Sequence, residues 1–373
     1  MKPKLILHVG PGKCGSSSIQ QFFSTQKSPC IERIRFKLLA PAVISKLNSN
    51  DPSKILLEST REQLSADLHG CDSLILSHEF LFQNPYAVNW LCLLANTIAE
   101  KIFVIGYCRR QSDFLASAYS QWFFRSPVRV REVNAIVNRL GFDPSVFTGL
   151  ERQFIASIEN NYDSARMLSG YSILDWNSSY NSITQATNDL NVTIRCGTLP
   201  NKEKDRPLIQ DFCDKAELRL HAGIEYSSQE RANRSFDPNV VEAINAAVGL
   251  GIEMMGPHES NDIISLISSL SREAGDQNIS CDLNGILSDL ASYTDWYYWP
   301  ANQTLCNRYD LEQEYFKPRQ SFSKQDVLDR LKLENHKRTT NMSVSIERYQ
   351  LLSAMIIELC ITLARVDRNA QAT

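Results

Sequence analysis

What the sequence lacks narrows it first. It has no run of the roughly 20 apolar residues that a membrane helix needs. The nearest stretch, Leu351 to Leu363, is interrupted by Glu358 and flanked by Glu347, Arg348 and Arg365, so no transmembrane segment is expected. Near the N-terminus the apolar residues Leu5 to Val9 stop at Gly10, too soon for the core of a signal peptide. Charge of one sign is not in excess either: 39 Lys+Arg against 42 Asp+Glu leave a net charge of −3. That balance excludes a protein that coats nucleic acid, and the Lys317 to Arg338 run lacks the aromatic interleaving that would support nucleic-acid binding. Cys-x-x-Cys pairs are missing, and the ten cysteines, at 14, 30, 71, 92, 108, 196, 213, 281, 306 and 360, stand singly. Several lie in apolar runs, as Cys92 and Cys360 do, and are expected to be buried thiols of a cytoplasmic protein rather than a disulfide framework. His69, Cys71 and His78 fit no zinc spacing and there is no His-Glu-x-x-His, so no metal is expected. Repeats and low-complexity segments are also lacking.

What is present is an ordinary folded composition, 43% hydrophobic and 22% charged over 373 residues, enough for two domains or one large α/β domain with a helical addition. The first half alternates strands and helices. Strands are expected at Lys4–Val9, Ser73–Ser77, Ile102–Tyr107 and Val192–Cys196, and helices at Gly15–Thr25, Ala87–Ile98, Gln111–Phe124 and Pro207–Glu217. Short apolar strands separated by helices indicate βαβ units and a parallel sheet. Beyond about residue 225 the pattern is mostly helical, at Pro238–Met255, Ile263–Glu273, Leu283–Ser292 and Ile346–Val366, with an aromatic segment from Tyr293 to Trp299 and on to Tyr309 and Phe316 read as core or lid. The expected division is an α/β core over 1–222, a helical region over 223–320 and a C-terminal helical extension over 321–373. The apolar helix Ile346–Val366 reads as buried core or as a contact between copies of the chain.

The most informative stretch is Leu5-Ile6-Leu7-His8-Val9-Gly10-Pro11-Gly12-Lys13-Cys14-Gly15-Ser16-Ser17-Ser18, a strand, a glycine-rich turn and a helix start. Unpaired N–H groups at a helix N-terminus, with its partial positive charge, make such a turn a phosphate cradle. A serine cap on a tight turn explains the serines and some of the glycine, but not a lysine between two glycines. In a nucleoside-triphosphatase loop the lysine follows the second glycine, whereas Lys13 precedes Gly15. The arrangement resembles instead the 5′-phosphosulfate loop of sulfotransferases that use 3′-phosphoadenosine 5′-phosphosulfate (PAPS), Gly-x-x-Lys-[Ser/Thr]-Gly-[Ser/Thr]-[Ser/Thr]. Cys14 departs from that pattern, where a backbone N–H can replace the usual hydroxyl.

About ninety residues on, Ile102 to Gln121 contains Cys108-Arg109-Arg110-Gln111-Ser112-Asp113-Phe114 and, two helical turns further, Ser117. A 3′-phosphate calls for a charge-assisted guanidinium contact and a hydroxyl. Arg109 and Ser117 stand at the family's spacing for that site, and two cations at a helix start oppose the helix dipole unless an anion is near. The string Arg-Arg-Gln-x-Asp-Phe-x-x-Ser-x-Tyr-x-Gln is similar to bacterial sulfotransferases related to carbohydrate-modifying enzymes. Weaker echoes follow at Asp211-Phe212, Asn233-Arg234-Ser235-Phe236 and Asn302 to Tyr309.

The resemblance implies a three-layer fold of the P-loop nucleotide-transferase kind, with a central parallel sheet, and a helical acceptor side over 223–320. It implies PAPS as donor, its product 3′-phosphoadenosine 5′-phosphate (PAP), no metal, and a hydroxyl acceptor, a carbohydrate or glycolipid. Gly10, Gly12, Lys13, Cys14, Gly15, Ser16 and Ser17 would hold the 5′-phosphosulfate, with Lys13 at the oxygen bridging phosphorus and sulfur, and Arg109 and Ser117 the 3′-phosphate. The strand end Ser77-His78-Glu79 offers the base: Glu79 at the family's Ser-x-Glu position, or His78 beside it. The residues alone also allow a helix-capping Glu79 and a surface His78. Two other functions compete: a P-loop kinase or nucleotidase using ATP and magnesium, and an inactive nucleotide-binding interaction protein. The basic runs Arg125, Arg129, Arg131, Arg139 and Lys317 to Arg338 read as solvated faces, although the first could meet an anionic glycan.

Overall fold

A computed structural model of the chain describes residues 2–25, 29–159, 174–199, 207–221, 238–249 and 285–341. Among these it is an α/β protein with one five-stranded, all-parallel sheet and twelve α-helices. The chain divides into two compact units, each assembled from three segments: Met1–Arg110 with Ala165–Asn233 and Tyr298–Lys317, and Gln111–Ser164 with Arg234–Tyr297 and Pro318–Thr373.

The first unit holds the sheet. Its strands are β1 (Lys4–His8), β2 (Ile34–Leu38), β3 (Ser73–Ser77), β4 (Lys101–Cys108) and β5 (Val192–Thr198), in the spatial order β2-β3-β1-β4-β5. Strands covered on both faces read as continuous apolar runs, and Leu5–Leu7, Leu74–Leu76 and Ile102–Ile105 are all buried. β2 is not among the strands expected from the sequence. This edge strand alternates Ile34, Phe36 and Leu38 with Arg35 and Lys37, and both cations pair with Asp67 on the helix Lys54–Leu68. Charged edge strands are common because they blunt unwanted pairing. The helices of this unit are α1 (Ser16–Thr25), α2 (Pro41–Leu47), α3 (Lys54–Leu68), α4 (Pro85–Ala95), α8 (Trp176–Ala186) and α9 (Leu208–Lys215).

Sheet order decides where a ligand can sit. From β1 the chain runs to β2 and β3 on one side and afterwards to β4 and β5 on the other, so it switches direction beside β1. In open parallel sheets the crevice at such a switch point, outside the C-terminal strand ends, is the binding position. His8 is level with Ser77 on β3 and Ile105 on β4, so β1 and β3 end side by side while β4 runs on to Cys108. A buried polar contact fixes β1 to β3: His8 Nδ1 lies 2.8 Å from Ser77 Oγ, and Gln20 of α1 donates to the same oxygen. Burial holds the His8 imidazole neutral, its pKa lowered to about 4.

The second unit is helical: α5 (Gln111–Tyr119), α6 (Pro127–Arg139), α7 (Gly149–Ser157), α10 (Pro238–Gly249) and α12 (Lys324–Asn341), with the first half of α11 (Ile286–Tyr309). Tyr119, Phe124, Val130, Val240, Val241, Ile244, Ala247 and Val248 form its core. Three expectations change here. The Gln111–Phe124 helix ends at Tyr119 and a separate 3-10 turn covers Phe123–Arg125. The aromatic segment from Tyr293 to Tyr309 is not a break in the helical pattern but lies inside α11, where Tyr293 is buried. Arg129 is buried rather than solvated, stacked over Phe123 and bonded to Gln153. The Lys317–Arg338 run is laced with ion pairs, among them Arg330–Asp289, Lys332–Asp329 and Arg338–Glu151. The expected helices at Ile263–Glu273 and Ile346–Val366 and the Asn233 to Phe236 echo lie outside the described residues. Among the described residues no helix is long and apolar enough to cross a membrane.

Candidate functional site

The segment between β1 and α1 turns sharply. Gly15 has φ +90°, and Lys13 itself has φ +68°. A left-handed lysine costs about 1–2 kcal/mol relative to the right-handed region, and strain of this kind persists where surrounding contacts fix it. Two contacts do so. Arg109, at the end of β4, donates from Nη1 to the Lys13 carbonyl at 3.2 Å. Leu199 and Leu208 close over Gly15 so tightly that a Cβ there would meet them at 2.9 and 2.5 Å.

Beside this turn stands one of the two base candidates. Glu79, the first residue of the 3-10 turn that follows β3, accepts a hydrogen bond from the Ser16 hydroxyl and lies near the Lys13 ammonium. Burial raises the Glu79 pKa, and Lys13 and Ser16 pull against that shift. Ser16 is buried and opens α1, whose first turn carries no acidic residue. Glu79, distant in sequence from Lys13 and Ser16, thus shares one site with them at the C-terminal edge of β1 and β3. Gly10, Gly12 and Ser17 belong to the same turn and helix start.

His78 takes the capping role. Its Nδ1 accepts the Phe80 N–H at 3.0 Å and its ring packs edge-on against Phe80. A neutral imidazole that accepts at Nδ1 carries its proton on Nε2, so a second proton has to enter at the engaged nitrogen. Burial lowers the His78 pKa as well. Cys14 is buried, its thiol pushed up by burial and placed beside the Arg109 backbone N–H.

The two arginines divide. Arg110 clamps the Tyr315 carbonyl through Nε and Nη2. Arg109, besides holding Lys13, has a buried Nε with no hydrogen-bond partner, and its own carbonyl accepts from the Trp176 indole at 2.8 Å. An unpaired guanidinium N–H in a buried setting is costly unless a ligand meets it. Ser117 lies on α5 in the second unit, partly buried.

Asp295 corrects one argument made from sequence. Its carboxylate accepts from the backbone N–H and hydroxyl of Ser112, at 2.9 and 2.7 Å, so the anion expected at the start of α5 is supplied by the protein. The 183 residues between them left no local signal. Asp211 likewise is engaged, by the Tyr107 hydroxyl at 2.6 Å and Lys215 at 2.7 Å. Among the described residues no cluster of three or more His, Cys, Asp or Glu is arranged to hold a metal ion. No protein-family model matches the chain, and no curated protein matches it.

Proposed function

We propose that the protein is a PAPS-dependent sulfotransferase with a P-loop-like nucleotide site, acting on a hydroxyl of a carbohydrate or glycolipid acceptor. The observation that carries this reading is the meeting of Lys13, Ser16 and Glu79 at the helix start after β1. Sheet order β2-β3-β1-β4-β5, with the glycine-lysine turn leaving the central strand, supports the fold assignment. Buried cysteines that carry free thiols suit a cytoplasmic setting.

In this reading the α1 N-terminus and the Ser17 hydroxyl bind the 5′-phosphate, the Ser16 hydroxyl turns to it from Glu79, and the open Nε of Arg109 points to the 3′-phosphate as its partner. Glu79 removes the proton of the acceptor hydroxyl. The acceptor oxygen then attacks sulfur in line, and the bond between sulfur and the bridging phosphate oxygen breaks with its electron pair leaving on PAP. Lys13 stabilises the charge that develops on that oxygen, worth most where water is excluded. Positioning and electrostatics supply the catalysis, as in phosphoryl transfer.

Titration calorimetry with PAP in the presence of EDTA tests the donor site. PAP should bind without a divalent ion, and Arg109→Ala should weaken it about ten- to a hundredfold, the range of one or two charge-assisted hydrogen bonds. Arg109→Lys should recover little, because an ammonium cannot serve both the Lys13 carbonyl and a phosphate as a fork does. Binding of ATP only with magnesium, and not of PAP, would instead indicate the kinase reading.

The pH dependence of transfer should carry the mark of Glu79. Only its carboxylate accepts a proton, and burial raises its pKa above 4.5, so kcat/KM should fall as pH drops through a limb above that value. Removing the Lys13 charge, which lowers the Glu79 pKa, should move the limb further up. Glu79→Gln should abolish the limb together with most of the rate, about 10²–10⁴-fold, whereas His78→Gln should leave the limb in place. The opposite pattern assigns the base to His78.

A further inference from the structure

The residue after Glu79 is a large aromatic turned to solvent. Phe80 is 54% exposed, yet it is held in place: its N–H bonds to His78 Nδ1, its carbonyl accepts from the Asn84 side-chain amide, and its ring rests edge-on against the His78 ring at 4.9 Å. Exposed apolar side chains are ordinary when they stand alone on a mobile surface. A braced aromatic beside a candidate base is a different case. Leu38, level with Ser77 at the end of the neighbouring strand β2, is 59% exposed on the same sheet edge.

Charge on this side is as informative as shape. From Leu38 to Ser45 and from Cys71 to Glu100 there is no lysine or arginine. The segments leaving β2 and β3 therefore offer an acceptor aromatic and aliphatic surface, one capping imidazole and a carboxylate, and no cation for a sulfate or carboxylate group. An anionic glycan approaching from here finds no cation on these two segments to pair with, and the Lys13 ammonium beside Glu79 is committed in this reading to the leaving oxygen.

Resting on the sulfuryl-transfer reading, we infer that the acceptor is an uncharged alcohol whose hydroxyl sits on or beside an apolar ring face, laid against Phe80 and Leu38 with its O–H toward Glu79. The hydroxyl needs no charge of its own to be oriented, because the flat contact fixes the ring and the carboxylate takes the proton. Phe80 is then a specificity-determining residue, and its loss affects the acceptor and not the donor.

Transfer from PAPS is measured to octyl glucoside, to 2-naphthol and to a heparan-type oligosaccharide, in the wild type, Phe80→Ala and Phe80→Tyr. PAP affinity is measured on each protein. The expected result is turnover of the two neutral alcohols, with KM raised about tenfold in Phe80→Ala, near wild type in Phe80→Tyr, and PAP affinity unchanged throughout. Preference for the anionic oligosaccharide, or a neutral-acceptor KM indifferent to Phe80→Ala, overturns the inference while leaving the donor site intact. Absence of PAP binding in the wild type strikes the sulfotransferase reading instead. The surface is then judged by ligand-observed NMR with octyl glucoside and 2-naphthol alone: binding lost in Phe80→Ala upholds it, and no binding overturns it.

Discussion

Lys13→Gly should lower kcat for sulfuryl transfer by about 10²–10³-fold, the loss expected when one preorganised cation facing a leaving oxygen is removed, while the protein unfolds within about 1 kcal/mol of the wild type. The second half of that expectation comes from the backbone. Lys13 stands at φ +68°, where a side chain costs about 1–2 kcal/mol and glycine costs nothing. Glycine gives part of this back through greater freedom of the unfolded chain. Lys13→Ala keeps the unfavourable φ and deletes the ammonium, so it should be as inactive and no more stable. A residue retained for architecture would show the reverse, with stability and activity falling together. The paired measurement is a thermal melt and single-turnover transfer on both variants. Transfer within tenfold of the wild type in Lys13→Gly removes Lys13 from the reaction.

Removing Lys13 also acts on Glu79. The ammonium is the main charge opposing the upward shift that burial imposes on this carboxyl, and without it more of Glu79 is protonated at a given pH. Part of the rate loss should thus be recovered in Lys13→Gly as the pH is raised. The part that persists at high pH belongs to the leaving oxygen. One pH series separates the two contributions of a single side chain.

The buried half of this architecture was legible because it rests on uninterrupted apolar runs. Leu5–Leu7, Leu74–Leu76 and Ile102–Ile105 sit on central strands, and nothing competes with that pattern. Ile34–Leu38 was not legible, because an edge strand with Arg35 and Lys37 looks like a polar segment until Asp67 is seen to pair with both. In the site, the glycine-lysine turn could be read because its chemistry is local. The Lys13–Glu79 meeting could be anticipated only as far as parallel strand ends share an edge. Long-range partners left no trace: Asp295 beneath Ser112, Tyr315 on Arg110 and Trp176 on the Arg109 carbonyl are fixed by tertiary packing. They matter because they show which arginine is already committed. Arg110 is tied to a carbonyl through two nitrogens, whereas Arg109 keeps a buried Nε unmatched.

Gly106→Ala should destabilise the protein by about 3 kcal/mol, near the upper end for overpacking, and should weaken PAP binding in the same variant. Gly106 has no special φ; its constraint is proximity. A Cβ there would stand 2.5 Å from the Val9 carbonyl oxygen and 2.7 Å from the Tyr180 hydroxyl. The first of these is backbone, at the last residue before Gly10, and Val9 N–H is bonded to Ile105 at 2.8 Å, so relief requires the β1 exit to move. Gly10 has little room on its own side, since a Cβ at that position would lie 3.3 Å from Tyr107 N. Displacing Val9 therefore shifts the start of the turn that carries Lys13. Tyr180→Phe in the same protein removes the hydroxyl clash and leaves the carbonyl clash, so it should not rescue either property. Gly70→Ala is the comparison: its φ is +78° and nothing lies within 4 Å of a Cβ, so it should cost only the backbone strain, about 1–2 kcal/mol, with PAP affinity unchanged. Denaturant melts and PAP titrations on the four proteins read both effects. Rescue of Gly106→Ala by Tyr180→Phe would show that the side chain, and not the approach of β1 to β4, sets the need for glycine.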